Sequence, residues 1–365
     1  MHEPATRVRL IGADESLASS ALSSFESAAV AGFFQSSAWL DNFRRHGAPP
    51  GDRLRLYAVE AGEDSLLALV PAIYSRLYAV HPRARILHFL QPDGLDYLPF
   101  LAPGEENPLR AVERVLQTLF ANRHAYDVLR FSPLERGSSF TNGLISVLRR
   151  HRHPLQIYVQ ADDCFSPTTP GSFSAYLAAR PASLRESLAV AARTLRESGR
   201  ITFRLVRLPE EIEAGCHDFE SIREESGVEQ PEESAGYIPG IIRAATAAGA
   251  LRLGFIDFEG TPAAVQLWIA SAGVARCLRI FSIEEPPEVP LTDMLTQDLA
   301  AHLIDGDRVC ELGFGALDPQ LAMNWAPGRR ERLGLAAFNP RTWRGLKGAT
   351  RHVGAQFLKS LVKRN

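Results

Sequence analysis

Two distant stretches of this chain carry the same pattern, and any fold has to accommodate both. Leu54-Arg55-Leu56-Tyr57-Ala58-Val59-Glu60-Ala61-Gly62 leads through a polar turn into Leu66-Leu67-Ala68-Leu69-Val70-Pro71-Ala72. Far downstream, Leu251-Arg252-Leu253-Gly254-Phe255-Ile256-Asp257-Phe258-Glu259-Gly260 turns into Pro262-Ala263-Ala264-Val265-Gln266-Leu267-Trp268-Ile269. Apolar runs of strand length flank an acid-glycine turn in each, which is the signal of a β-hairpin. A strand, an apolar-periodic helix and a second strand follow each hairpin. They read as Ile86–Leu90, Pro108–Phe120 and Asp127–Phe131 in the first half, and as Ala275–Phe281, Thr292–Ile304 and Arg308–Phe314 in the second. One supersecondary unit used twice predicts two related α/β domains.

Length agrees, since 365 residues exceed the ~100–200 of one domain. With 45% hydrophobic and 22% charged residues the chain has the composition of a protein that buries a core. The expected division is a first domain over 1–163, a linker at 164–171, a second domain over 172–338 and a tail at 339–365. Ser166-Pro167-Thr168-Thr169-Pro170-Gly171 suggests the linker. Beyond it, spacing predicts a helix over Ser183–Ser198, a strand over Ile201–Leu208, and helices over Glu210–Ser226 and Tyr237–Ala248.

Several classes are disfavoured. A formal charge of −2 supplies no global field for DNA. Cys164, Cys216, Cys277 and Cys310 form no CxxC pair and the histidines are scattered, so no metal site is expected and the thiols fit a reducing compartment. Residues 1–20 lack the apolar run of a signal peptide, and no uncharged apolar run reaches the ~18 residues of a membrane span. The expectation is a cytoplasmic protein.

Short segments, in order along the chain, resemble the FemAB-like or CelD-like branch of the GNAT acyltransferase superfamily. Phe34-Gln35-Ser36-Ser37-Ala38-Trp39-Leu40 is similar to its opening helix, and Asp96-Tyr97-Leu98-Pro99-Phe100-Leu101 to its DY-plus-apolar segment. Arg185 stands where the family has an arginine at the start of a long helix, which Gly199 closes. Gly249-Ala250-Leu251-Arg252-Leu253, Gly260-Thr261-Pro262-Ala263-Ala264 and Glu311-Leu312-Gly313-Phe314-Gly315-Ala316-Leu317-Asp318 resemble the second-domain motifs, with Trp325 following. There are departures: Val289-Pro290-Leu291 replaces Ser-Pro-Gly, and Leu321-Ala322 replaces Tyr-Lys. The resemblance implies two tandem GNAT-like domains, each a mixed, mostly antiparallel sheet flanked by helices. It also implies acyl-CoA, acetyl or longer, as co-substrate and a small amine as acceptor, such as an amino sugar in envelope polysaccharide or lipid biosynthesis. An aminoacyl-tRNA donor, as for FemX, and a catalytically degenerate scaffold remain open.

Acyl transfer from a thioester to an amine needs a proton acceptor and hydrogen-bond donors aimed at the developing oxyanion, with no covalent enzyme intermediate. Asp96 and Glu311, at or beyond strand ends, are the carboxylate candidates; a turn residue beside Gly94 and a solvent-facing strand position are the structural alternatives. Gln266 within an apolar strand, Arg185 with its planar fork, Trp39 and Tyr97 are candidate substrate contacts; a buried glutamine bonded to backbone, a solvated helix face, and core or cleft-wall aromatics are the structural alternatives. Pro290, Leu291 and Thr292 open the second-domain helix, where the donor's pyrophosphate would meet backbone N–H groups. Finally, 339–365 holds seven Lys or Arg and no acid, among spaced apolar residues. Such a segment covers its own domain, lies on the inner face of a membrane, or contacts RNA.

Overall fold

Both hairpins are present in a computed structural model of the chain. It describes residues 6–12, 32–48, 51–62, 65–76, 84–90, 97, 99–105, 107–160, 162–168, 171–228, 234, 236–283, 290–315 and 319–362. In chain order the first elements are strands β1 (Thr6–Gly12), β2 (Arg53–Ala61), β3 (Ser65–Ser75), β4 (Ile86–Leu90), β5 (Phe100–Leu101), β6 (Val128–Glu135) and β7 (Leu155–Val159). With them come helices α1 (Ser37–His46), α2 (Pro108–Ala121) and α3 (Ser139–Arg150). Next are β8 (Asp163–Pro167), α4 (Phe173–Ala178), α5 (Ala182–Ala191), β9 (Ile201–Val206), α6 (Ile212–Glu225) and α7 (Tyr237–Ala247). The second hairpin and its sequel are β10 (Leu251–Phe258), β11 (Thr261–Ser271), β12 (Val274–Ser282), α8 (Leu291–Ala301), β13 (Glu311–Gly315), α9 (Pro319–Trp325) and β14 (Gly328–Arg330). The chain closes with β15 (Arg332–Phe338) and α10 (Trp343–Val362).

Two compact units result. One contains β1, Gln35–Ala161 and Glu331–Asn365, the other Gly32–Phe34 and Asp162–Arg330. The first unit's sheet runs β1-β2-β3-β4-β6-β15-β7, with β5 beside β3; the second unit's runs β14-β8-β13-β12-β11-β10-β9. In each, four antiparallel strands end in one parallel step, β4 to β6 or β12 to β13, and the next neighbour is again antiparallel. The repeated β-α-β order read from the sequence is therefore a repeated topology.

Alternation decides which face each strand buries. Leu87 and Phe89 of β4, Leu129 and Phe131 of β6, and Leu333, Leu335 and Ala337 of β15 point into one core with Val112, Val115 and Leu116 of α2. In the second unit Ile256, Ala264, Trp268, Ala275, Leu312 and Phe314 meet Leu184 and Leu188 of α5 and Leu295 and Leu299 of α8. Both α5 and α8 end in a π-helical turn, at Ala192–Arg196 and His302–Gly306, so the helices read as Ser183–Ser198 and Thr292–Ile304 change pitch in their last turns.

The boundaries differ from those read in the sequence. Residues 163–167 are no linker: β8 pairs with β13 and β14, and its proline stands at the last strand residue, where a lost N–H is tolerated. Residues 331–338 leave the second domain, because β15 pairs with β6 and β7 and its alternate apolar residues complete the first core. The start of the basic segment also belongs to the first unit. Asn339 donates its backbone N–H to Asp127 O at 2.9 Å and its side-chain amide to Tyr126 O at 3.0 Å.

Candidate functional site

In the second unit, β12 and β13 pair only from Val274–Arg276 to Glu311–Gly313, although β12 continues to Ser282 and β13 to Gly315. In the first unit, β4 and β6 are paired along the whole of the described β4, Ile86–Leu90. Each strand is irregular at the opening, β13 shifting its register with β8 between Gly313 and Gly315. On β11, Leu267 faces Arg279 and Trp268 faces Cys277, so Leu278 is an extra residue, and such a bulge bends its strand. Beyond Arg276, no described strand pairs with β12 on its β13 side. Backbone groups in such an opening still require partners, from water or from an extended ligand.

Helix α8 starts beside the end of β12. Its N-cap is Pro290, which makes no side-chain cap, so the first-turn N–H groups have no intrahelical partner. The Thr292 hydroxyl donates to Ser282 Oγ at 3.2 Å, joining the helix start to the strand end. Gln266 fixes the same turn from β11, donating through Nε2 to Thr292 O at 3.2 Å and to Thr296 Oγ1 at 2.7 Å. Its Oε1 accepts from Trp268 Nε1 at 2.9 Å. Gln266 is fully buried and holds the first turn of α8 through Thr292 O. Leu291 is buried too and packs into the core, which leaves the backbone of the turn as the part that a donor would meet.

Asp293, which the sequence reading missed, lies in this first turn. It accepts from Trp325 Nε1 at 2.7 Å, and Trp325 O in turn accepts from the Tyr176 hydroxyl at 2.7 Å and Arg180 Nη1 at 2.9 Å. Trp325 thus ties α9 to α8 and α4. A carboxylate is stabilised at a helix N-terminus, and it also competes there with a phosphate.

Glu311 opens β13, two residues before Gly313, on the sheet face opposite the core. Arg330 Nη1 donates to its Oε1 at 2.8 Å, Arg330 also lies 3.7 Å from Asp163, and Arg276 approaches the same Asp163 carboxylate at 3.7 Å. The guanidinium of Arg330 stacks 3.7 Å from the Phe165 ring centroid. Gly313 makes room for this cluster, since a Cβ there would lie 3.1 Å from Arg276 Nη1. Arg276, Arg330 and Asp163 were not singled out in the sequence because they come from three strands with no common spacing.

The other candidates fall elsewhere. Trp39 is fully buried and stacks on Phe43 and Phe100, with ring centroids at 5.2 and 5.9 Å. Tyr97 is buried in the first core and donates its hydroxyl to Pro71 O at 3.2 Å. Both pack within the first unit, the core placement weighed for them beside substrate contact. Arg185 is exposed on α5. Asp96 lies outside the described residues. Among the described residues, Gln266, Pro290, Leu291 and Thr292 are brought together, with Glu311 in the same unit.

Residues 182–319 match the family model described as an acetyltransferase (GNAT) domain. That stretch of the second unit is similar in sequence to the GNAT domain. Its match covers the opened strands and the start of α8. No curated protein matches the chain in sequence. Among solved structures, FemX is similar with a TM-score of 0.59 and 9% identity, over 93% of this chain and all of that one, 100%. The C-terminal domain of a protein described as a lysylphosphatidylglycerol synthetase, from Agrobacterium fabrum, gives 0.56 at 13% identity over 92% and 96% of the two chains. L-PGS from Bacillus licheniformis gives 0.51 at 13% identity over 85% and 93%. At such identities the likeness concerns the fold, which both units share with these proteins, and residues 182–319 are the part with a likeness in sequence as well. No helix among the described residues is long and apolar enough to cross a membrane.

Proposed function

We propose that the chain is an N-acyltransferase that takes an acyl group, acetyl or longer, from a coenzyme A thioester and transfers it to a small amine such as an amino sugar. The observation that carries this reading is the divergence of β12 from β13 beyond Arg276, in the unit with the GNAT match. An extended, amide-containing arm fits such an opening as an added strand would, by pairing with backbone groups that β13 leaves unpaired. The first-turn N–H groups of α8, with the Ser282 and Thr292 hydroxyls, would meet the donor's phosphates, while Asp293 would limit how many charges fit there.

Chemistry then needs few groups. The amine attacks the thioester carbonyl, N–H groups of the diverging strands stabilise the oxyanion, and the C–S bond breaks as the thiolate takes up a proton. Glu311 is the proposed acceptor of the amine's proton. Arg330, which lies between Glu311 and Asp163, could leave the first for the second as the amine arrives. Asp96 keeps its sequence-based assignment as a second carboxylate of the same proposal.

A second reading replaces coenzyme A with aminoacyl-tRNA. It draws on the similarity to FemX over both units. Thermal unfolding with acetyl-CoA, palmitoyl-CoA and tRNA separates the two, because a ligand that binds only the folded state stabilises it by about 2.7 kcal/mol at a hundredfold excess over Kd. A shift with a thioester supports the first reading, a shift with tRNA alone the second, and no shift with any of them overturns both.

A further inference from the structure

Helix α10 meets its own sheet through small residues. Gly345, Gly348 and Ala349 are buried, and a Cβ on Gly345 would lie 2.2 Å from Asn339 O and one on Gly348 2.8 Å from the Phe338 ring. The large residues are on the other side. Trp343 is 63% and Leu346 49% exposed, with Lys347, Thr350 and Arg351 exposed beside them. A helix that merely covers its domain turns its large apolar residues inward; over the described side chains, Trp343–His352, Trp343 and Leu346 do the reverse. Trp343, Leu346 and Lys347 follow the i, i+3, i+4 spacing of neighbours on one face, and Lys347 Nζ lies 5.2 Å from the Trp343 ring centroid. The backbone helix runs on to Val362. From 339 to 365 there are seven Lys or Arg and no acid.

We propose that this face of α10 docks the protein on an anionic phospholipid surface. Tryptophan and leucine enter the boundary between headgroups and acyl chains, while lysine and arginine beside them meet lipid phosphates. The charge sign selects among occupants. A second copy docked face to face would set two acid-free basic helices against each other. RNA would satisfy the charges and leave an exposed apolar line with nothing to bury it.

The protein carries its own probe, because Trp39, Trp268 and Trp325 are each fully buried and Trp343 is exposed. The full chain, with no acyl donor present, is titrated with phosphatidylglycerol vesicles and with phosphatidylcholine vesicles, so the outcome is independent of whether the proposed reaction occurs. Expected with phosphatidylglycerol are a blue shift of tryptophan emission, protection from an aqueous quencher, and binding that weakens as salt is added. The pair Lys347→Gln and Arg351→Gln weakens binding about twenty-fivefold, at roughly a factor of five per charge. Trp343→Ser with Leu346→Ser abolishes it, while circular dichroism stays that of the folded protein. The proposal is overturned by equal binding to both lipids, by no response to either, by a dimer that shields Trp343, or by tRNA binding that needs Lys347 and Arg351 without any vesicle response.

Discussion

Arg330 reaches past β8 to hold Glu311, donating from Nη1 to Oε1 at 2.8 Å while its guanidinium lies over Phe165 of the intervening strand. A carboxylate engaged in this way is oriented, and it is available as a proton acceptor only when the guanidinium yields. Asp163, 3.7 Å from the same guanidinium, offers the alternative partner.

Replacing Glu311 by Gln keeps the shape of the side chain and removes its basicity. If Glu311 takes the amine's proton, kcat falls by about 10²–10⁴ while donor binding is retained. Steady-state rates beside equilibrium titration of the thioester check both parts. Undiminished turnover in the variant would remove Glu311 from the mechanism.

Gln266 is a structural bond between β11 and the first turn of α8. In Gln266→Leu, the buried Trp268 Nε1–H, the Thr296 hydroxyl and Thr292 O each lose a partner. One such orphaned group destabilises by about 1–3 kcal/mol. Urea unfolding should show a loss of at least that order. The donor KM should rise more than kcat falls, because Thr292 is no longer held. A variant as stable as the parent would show that the network contributes nothing.

What the sequence revealed follows from the range of each interaction. Hairpins and the β-α-β repeat are local, so Leu251–Phe258 and Thr261–Ser271 were legible from alternation and a turn. The partners of β8 and β15 are distant in sequence, and neither strand's composition says which sheet it completes. The opening itself goes with register shifts at Leu278 and beyond Gly313, which no periodicity records. Arg276, Arg330 and Asp163 meet only because three strands bring them together. Trp39 and Tyr97 were drawn out by motif likeness, and motif likeness does not distinguish an aromatic that packs from one that binds.

Gly254 on β10 sets how closely α8 approaches its sheet. A Cβ there would lie 2.8 to 2.9 Å from three atoms of the Leu299 side chain. Gly254→Val therefore pushes on the helix whose first turn is proposed to receive the donor. Overpacking of this kind destabilises by about 1–3 kcal/mol. The expected kinetic result is a raised donor KM, and Leu299→Ala in the same chain should restore part of it. Failure of the second substitution to relieve the first would mean that the strain is not at this contact.

The first unit holds an acid-sensitive element of its own. His88 on β4 shares a hydrogen bond with Ser132 Oγ at 2.7 Å, and burial, helped by the Arg130 charge, lowers its pKa to about 3. His153, beside the Tyr126 hydroxyl at 2.6 Å, is lowered to about 4, again mainly by burial. Unfolded, each titrates near 6.5, so between that pH and its folded value the unfolded chain binds a proton that the folded one refuses. Stability is therefore complete above about pH 6.5 and is lost as pH falls, with a slope approaching about 1.4 kcal/mol per pH unit for each histidine. His88→Gln removes one of the two titrations and should flatten the acid limb. Hydrogen exchange of the β4 and β6 amides from pH 7 to 4 localises the effect, and a limb of unchanged slope in the variant would assign the acid sensitivity to other groups.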